Sequence, residues 1–429
     1  MNTSLPRKPA LWALLPLALI VVWLLSSRGD DARNVSASLS LAEAMGGADT
    51  VGYARAFAPR PFEFPRDHGA HPEFRTEWWY FTGNLDARDG RRFGFQFTIF
   101  RSALRPVSAD PEAADAPAAP AASAAPGAAG APDAVASTGS AVPPDSTSTW
   151  ITPQMYMGHF TVTDVEGNRF SEFERFTRGG AGLAGAEAGA ESPVRIWLDD
   201  WRIEGPANPE RSWPMRLWAA DEGVALSLAF VPRKDIVLQG DQGLSQKGPE
   251  PGNASYYYSY PRLTAGGTLE IDGEVIDVEG LAWLDREWST SALGEGQVGW
   301  DWFSLQFDDG AELMVYDIRQ ADGTPSPESQ GVWVAPDGYV LHLESADYTL
   351  TPTGRWTSPI DGASYPSGWR IDVPQIDLEL EVEPVLLDQE LDVTVRYWEG
   401  AVDVSGRRAS RELAGRGYVE LTGYAGSTR

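Results

Sequence analysis

Two acidic residues draw attention first. In the run LAWLDREWS, Leu281–Ser289, Asp285 and Glu287 share an alternating parity with Leu281 and Trp283. Read as a strand, the run puts two carboxylates after two large apolar residues on one face. A face of that kind is normally buried, so the carboxylates must find partners or shift their pKa values. A carboxyl kept protonated against apolar walls can serve as a general acid, and a neighbouring carboxylate can tune it or orient a water. After a Ser/Gly-rich break comes Gly299-Trp300-Asp301-Trp302-Phe303, which sets indoles beside these acids. The competing use of the same residues is a buried ion pair, Asp285 or Glu287 with Arg286 or Arg319, packed on core tryptophans.

A second group lies upstream: Asp67, His68 and His71, then Arg75, Glu77, Trp78, Trp79 and Tyr80. Alternation sends Trp78 and Tyr80 to one face and Glu77 and Trp79 to the other. Acid/base or metal chemistry is one use of these residues; hydrogen bonding of the histidines to turn backbone, with Glu77 meeting an arginine, is the other. No H-x-H or H-E-x-x-H spacing occurs, so no metal is expected. Serine hydrolysis has little support, since no G-x-S-x-G elbow occurs and Ser289 and Ser291 have no histidine nearby in sequence.

Composition narrows the classes. The chain has 429 residues and a formal net charge of −27, with a pI near 4.5, which opposes binding to a phosphate backbone. It contains no cysteine, which excludes disulfides, thiolate metal sites and cysteine nucleophiles. Only His68, His71, His159 and His342 are available as imidazoles. Seventeen tryptophans, 14 tyrosines and 16 phenylalanines favour strands and aromatic-lined cavities.

The elements that must position these groups read as strands. Arg7 and Lys8 precede an apolar run, Ala10–Leu25, so residues 1–26 are expected to be a signal peptide or N-terminal membrane anchor. That places the rest in the periplasm or outside the cell, secreted or anchored. Residues 27–56 are a linker. Short alternating segments bounded by turn residues then recur throughout, including Thr76–Leu85, Arg92–Phe100, Gln154–Asp164, Glu274–Trp283, Trp300–Phe307 and Gly417–Thr422. The Ala/Pro-rich stretch 106–149 lacks apolar periodicity and is expected to be a disordered insertion. Gly179–Ala190 reads as a second loop, and Arg407–Leu413 as a short helical turn. The pattern predicts an all-β chain of two consecutive antiparallel barrels, 57–262 and 263–429.

Three motifs carry a resemblance. FPRDHGAHPEFRTEWWYFTGNL (Phe64–Leu85), SYYYSYPRL (Ser255–Leu263) and the run from Gly280 through GLAWLDREWSTSALGEGQVGWDWF resemble hallmarks of the AttH/CrtC family. That family includes carotenoid 1,2-hydratases, kievitone hydratase-like enzymes and exported proteins called predicted secreted hydrolases. The resemblance implies two lipocalin-like β-barrel domains and a pocket for a hydrophobic, isoprenoid or lipid-like molecule. It further implies a hydratase or hydrolase without a cofactor, adding water across an isolated C=C bond. By match to the motif Asp285 is the candidate acid and Glu287 its companion. His71, Glu77, Trp78, Tyr80, Trp288, Trp300, Trp302 and Tyr316 are candidate pocket walls or polar partners. Asp285-Arg286-Glu287-Trp288 is closer to the exported branch than to the carotenoid hydratases. Arg286 would favour an ionised Asp285 if it turned inward; strand parity turns it away. The exported branch also implies a competing role, a non-catalytic carrier or chaperone of lipophilic molecules working with an ABC-type transporter.

Overall fold

The structure, a computed structural model, describes residues 50–107, 152–290 and 293–425. The segment read as signal or anchor, most of the linker and nearly all of the Ala/Pro-rich insertion lie outside the described residues, as does Ser291. Among the described residues no helix is long and apolar enough to cross a membrane.

Strands dominate. The first group comprises β1 (Thr76–Ala87), β2 (Arg92–Ala103), β3 (Gln154–Asp164), β4 (Arg169–Arg178), β5 (Ala184–Glu187), β6 (Arg195–Leu198) and β7 (Trp201–Glu204). It continues with β8 (Met215–Asp221), β9 (Val224–Pro232), β10 (Val237–Leu238), β11 (Leu244–Gln246), β12 (Ala254–Ile271) and β13 (Glu274–Ser289). These 13 strands form one antiparallel sheet, ordered β4-β3-β2-β1-β13-β12-β9-β8-β7-β6-β5, with β10 and β11 also paired to β12.

The second group comprises β14 (Gln297–Phe307), β15 (Glu312–Gln320), β16 (Gln330–Val334), β17 (Val340–Glu344), β18 (Thr349–Pro352), β19 (Arg355–Thr357) and β20 (Ser364–Pro366). The last strands are β21 (Trp369–Val373), β22 (Leu378–Pro384), β23 (Glu390–Leu391), β24 (Tyr397–Arg408) and β25 (Arg411–Leu421). Ten of them make the second sheet, ordered β17-β16-β15-β14-β25-β24-β22-β21-β18, with β23 on β24. Strands β19 and β20 form a separate ribbon. Both large sheets curl, the first into a near-barrel and the second into a half-barrel of the lipocalin type.

Three readings of the sequence are corrected here. Residue 262, taken as the junction, falls inside β12, and the change of sheet lies between Ser289 and Gln297. The strand outlasts Pro261 because a register shift between Tyr260 and Leu263 removes the ladder hydrogen bond a proline cannot donate. Arg407–Leu413 is no helical turn: it is the β24–β25 hairpin, with Arg408 paired to Arg411. The loop Gly179–Ala190 contains β5, paired with β6.

Alternation divides the strands between three large apolar clusters, with a small fourth at Phe100, Met157 and Val395. Leu284 and Trp288 of β13 join Phe95, Phe97 and Trp201 inside the first barrel. Phe303, Leu305 and Phe307 of β14 join Trp333, Trp369 and Trp398 inside the second. The opposite parity of the same strands, Trp283 on β13 and Trp302 on β14, meets in a third cluster built by both sheets, with Tyr80, Tyr257, Tyr316 and Tyr418. Close approach there needs a small residue. A Cβ on Gly94 of β2 would stand 2.7 Å from Cβ of Ala401 on β24.

Candidate active site

Because β13 alternates, its two faces carry different chemistry. Trp283, Asp285 and Glu287 point at the cluster between the sheets, and Leu284, Arg286 and Trp288 point into the first barrel. Asp285 is buried, and every group that touches its carboxylate is a neutral donor. Trp283 Nε1 donates to Oδ1 at 2.7 Å, Ser259 Oγ donates to the same oxygen, and Tyr257 OH donates to Oδ2. Gln239 Nε2 in turn donates to Ser259 Oγ at 2.8 Å. Burial raises the Asp285 pKa, the three donors oppose that, and the Glu287 charge adds to the rise, leaving it at about 7. A group so poised holds a proton at neutral pH and can give it up.

Glu287 finds the cation of this site. Its Oε1 lies 3.1 Å from Lys247 Nζ, which also donates to Tyr316 OH at 3.2 Å. The ammonium sits over the rings of Tyr316 and Tyr257, 4.5 and 5.1 Å from their centroids. Burial pulls the Lys247 pKa down, but Glu287 and Tyr316 together outweigh it and the value stands at about 12, so Lys247 is a fixed positive charge. Tyr316 OH is held further by Ser245 Oγ at 2.9 Å and Gln330 Nε2 at 2.6 Å.

Aromatic rings complete the arrangement. Trp302 stands edge-on to Tyr80, with centroids 5.2 Å apart, and to Trp283 at 6.4 Å. Its indole N–H donates to Tyr257 OH at 3.3 Å. Trp78 and Trp300 pack against the same cluster. Five of the eight residues expected as walls or partners, Trp78, Tyr80, Trp300, Trp302 and Tyr316, are thus gathered with Asp285 and Glu287.

The other three, His71, Glu77 and Trp288, lie on the opposite side of β1 and β13. Glu77 is fully buried between Arg101 and Arg286, which both donate to it. Burial alone would raise its pKa, and the two guanidinium charges drive it well below the usual range. His71 bridges Asp67 at 3.2 Å and Glu77 at 3.4 Å, with its ring stacked on Trp288 at 3.8 Å. Asp67 is held at about 2: burial raises it, but His71 and Arg60 hydrogen bonds lower it more. Every acid here has a cation. The cluster ties residues 60–77 to the barrel, as a structural ion network does. Arg286 therefore faces away from Asp285, and the ion pairs weighed for Asp285 are absent: Arg319 binds Asp301 at 2.9 Å instead.

Reading the sequence missed Tyr257, Ser259, Lys247, Glu399 and Glu420. Tyr257 and Ser259 share the parity of a strand paired with β13, where Ser259 stands opposite Asp285; that register was the available signal. Lys247 lies in a Gly/Pro-rich loop that offers none. Glu399 and Glu420 sit in the apolar runs Tyr397–Val402 and Tyr418–Leu421 of their strands, the same signal that singled out Asp285.

Comparison with known proteins follows this geometry. The sequence profile of the AttH-like family matches residues 55–125 and 134–424. An AttH-type protein of Nitrosomonas europaea superposes with a TM-score of 0.68 at 30% identity, covering 86% of this chain and 99% of its own. The structure of kievitone hydratase from Nectria haematococca has the same fold, TM-score 0.60 at 13% identity, covering 89% and 98%. In sequence, kievitone hydratase of Fusarium solani subsp. phaseoli is 24% identical over 213 residues, 48% of this chain. The match spans 59% of that relative's length. Two curled antiparallel sheets, the three motifs and these matches together make the chain a member of the AttH-like family.

Proposed function

We propose that this chain is a hydratase-type enzyme that adds water across an isolated C=C bond of a hydrophobic, isoprenoid or lipid-like molecule, with Asp285 as the general acid. The observation that carries the reading is Asp285 itself: a buried carboxyl with three neutral donors, no cation, and a proton affinity near neutrality. Similarity to kievitone hydratase in sequence and fold supports it. Protonation of an alkene creates a carbocation, and the faces of Trp302 and Tyr80 beside the acid suit a developing positive charge. Glu287, paired with Lys247, adds to the rise of Asp285. The basic, apolar N-terminus supports action outside the cytoplasm, on a molecule reached from the membrane or envelope.

The test is capture and conversion. The whole chain and its Asp285→Asn variant are incubated with a lipid and isoprenoid extract, and mass spectrometry follows bound species and gains of one water. Conversion by the wild type and not by the variant is expected. Equal binding by both chains without conversion would refute catalysis and favour a lipophilic carrier that hands its cargo to a transporter.

A further inference from the structure

Across Trp302 from Asp285 lies a second pair of carboxyls that the chemistry above does not use. Glu399 on β24 and Glu420 on β25 stand directly opposite each other in register, and Trp302 on β14 is the partner of Glu420 on its other side. Glu399 is fully buried and Glu420 is 9% exposed. Tyr80 OH donates to Glu399 Oε1, and Trp300 Nε1 donates to Glu420 Oε2 at 3.1 Å. Glu399 Oε2 is buried with no hydrogen-bond partner at all. Among the described residues neither carboxyl has a cation in salt-bridge reach.

Two facing carboxyls without a cation cannot both ionise cheaply, so near neutrality they hold one proton between them. The groups facing them agree with this. Burial, and after it the Glu399 charge, suppresses ionisation of the phenols Tyr80 from β1, Tyr397 from β24 and Tyr418 from β25, and Glu420 adds to the effect on the first two. Burial raises Glu420, the Trp300 hydrogen bond opposes that, and from β13 the charges of Asp285 and Glu287 add to the rise. Trp302 links the two halves of the site. Its indole N–H donates to Tyr257, the donor to Asp285, and its ring meets Tyr80, the donor to Glu399. Asp285 and Glu399 thus each accept from a tyrosine, with the same indole between the two phenols.

We propose that Glu399 and Glu420 are the base of this site, a carboxyl pair sharing one proton that takes the second proton from the attacking water. The assignment rests on the hydratase reading. In the forward step the Asp285 O–H bond breaks, the alkene π pair forms a C–H bond, and a carbocation remains. Water forms the C–O bond to that cation and gives a proton to the ionised member of the pair. The pair then holds two protons and Asp285 none. Return of one proton through water restores both, and the sum is alkene plus water giving alcohol.

The experiment has two arms on the whole chain. In the first, infrared spectroscopy follows the protonated-carboxyl band through a pH titration of wild type, Glu399→Gln and Glu420→Gln. Glu420→Gln should let Glu399 ionise lower by roughly one pH unit or more, while Glu399→Gln leaves Glu420 near its wild-type value, because Glu399 is still neutral when Glu420 ionises; a Glu420→Gln titration that coincides with the wild type overturns the shared proton. In the second, farnesol is incubated in D2O. Glu420→Gln should hydrate it about 100-fold more slowly yet still place deuterium on the alkene carbon, because Asp285 protonates and the cation collapses back. Asp285→Asn should lose both. Hydration by Glu420→Gln at the wild-type rate overturns the base role, and loss of deuterium exchange along with hydration in that variant does the same. No hydration by the wild type overturns the reading the base role rests on, while the titration arm still judges the pair.

Discussion

Replacing Asp285 with asparagine should change the pH dependence of stability in a direction opposite to that of most buried-polar substitutions. The folded chain holds the Asp285 proton to about pH 7, against an ordinary value of 3.8. A raised folded value means a contribution that is complete below 3.8 and lost as the pH rises through 7. Between about pH 5 and about pH 8.5 the wild type therefore loses about 3 kcal/mol through this one residue, at about 1.4 kcal/mol per tenfold change in proton affinity. Asparagine has the same shape, keeps an oxygen for Ser259 and Trp283, and does not titrate. At pH 5 the variant should be as stable as the wild type or slightly less, through one weakened hydrogen bond. By pH 8.5 it should have gained about 3 kcal/mol relative to it.

Other acids titrate in the same range, the buried Glu420 and the half-buried Glu172 at about 7 and the half-buried Asp317 at about 6. They are common to both chains and cancel in the difference. The exception is the coupling of Glu420 to Asp285, which adds to the difference with the same sign. Urea unfolding followed by tryptophan fluorescence and far-ultraviolet circular dichroism, at both pH values, measures the quantity. Two profiles that run parallel within about 0.5 kcal/mol would show that Asp285 is already ionised at pH 5, and the general-acid assignment would fall with that result.

Other substitutions probe other parts of the structure. Glu77→Gln leaves Arg101 and Arg286 buried without their shared counter-charge and should cost about 3–5 kcal/mol in urea unfolding at pH 7; a loss below about 1 kcal/mol would show that the backbone carbonyls around the two arginines suffice. Gly94→Val forces β2 away from Ala401 of β24 and should cost about 1–3 kcal/mol, with a blue or red shift of Trp302 emission reporting that the sheets have parted. Trp302→Leu keeps an apolar wall but removes the aromatic face, so hydration should slow about 10-fold while Trp302→Phe recovers most of the rate; equal rates for leucine and phenylalanine would remove the ring from the mechanism.

Legibility in the sequence followed the range of the interactions. Alternation is local, and it placed Trp283, Asp285 and Glu287 on one face of β13, Arg286 on the other, and parted Trp78 and Tyr80 from Glu77 and Trp79. Pairing is not local. The junction was misplaced at residue 262 because Pro261 reads as a strand end, and only the bulge in the paired strand shows that the ladder resumes. For the same reason His71, Glu77 and Trp288 were grouped with Asp285: their nearness in sequence and family motif says nothing of which side of a sheet they occupy. Glu399 and Glu420 are visible as acids within short apolar runs but meaningless singly. Their chemistry comes from β24 pairing with β25, and from that hairpin packing on β1 and β2.

The contrast between the two faces of β13 bears on why the carboxyls are there. On the barrel side each acid is compensated: Glu77 by two arginines, Asp67 by Arg60 and His71. That arrangement lowers their pKa values and stabilises the fold at neutral pH. On the other side a single lysine serves Glu287, while Asp285, Glu399 and Glu420 are held by phenols, indoles and a hydroxyl. Neutral donors fix where a carboxyl points without fixing its charge. For stability alone, amide or apolar side chains of similar size would serve that interface better. Three uncompensated acids around one indole make sense where protons must move at ordinary pH, because a nearby guanidinium would hold each carboxyl ionised and end its use as a donor.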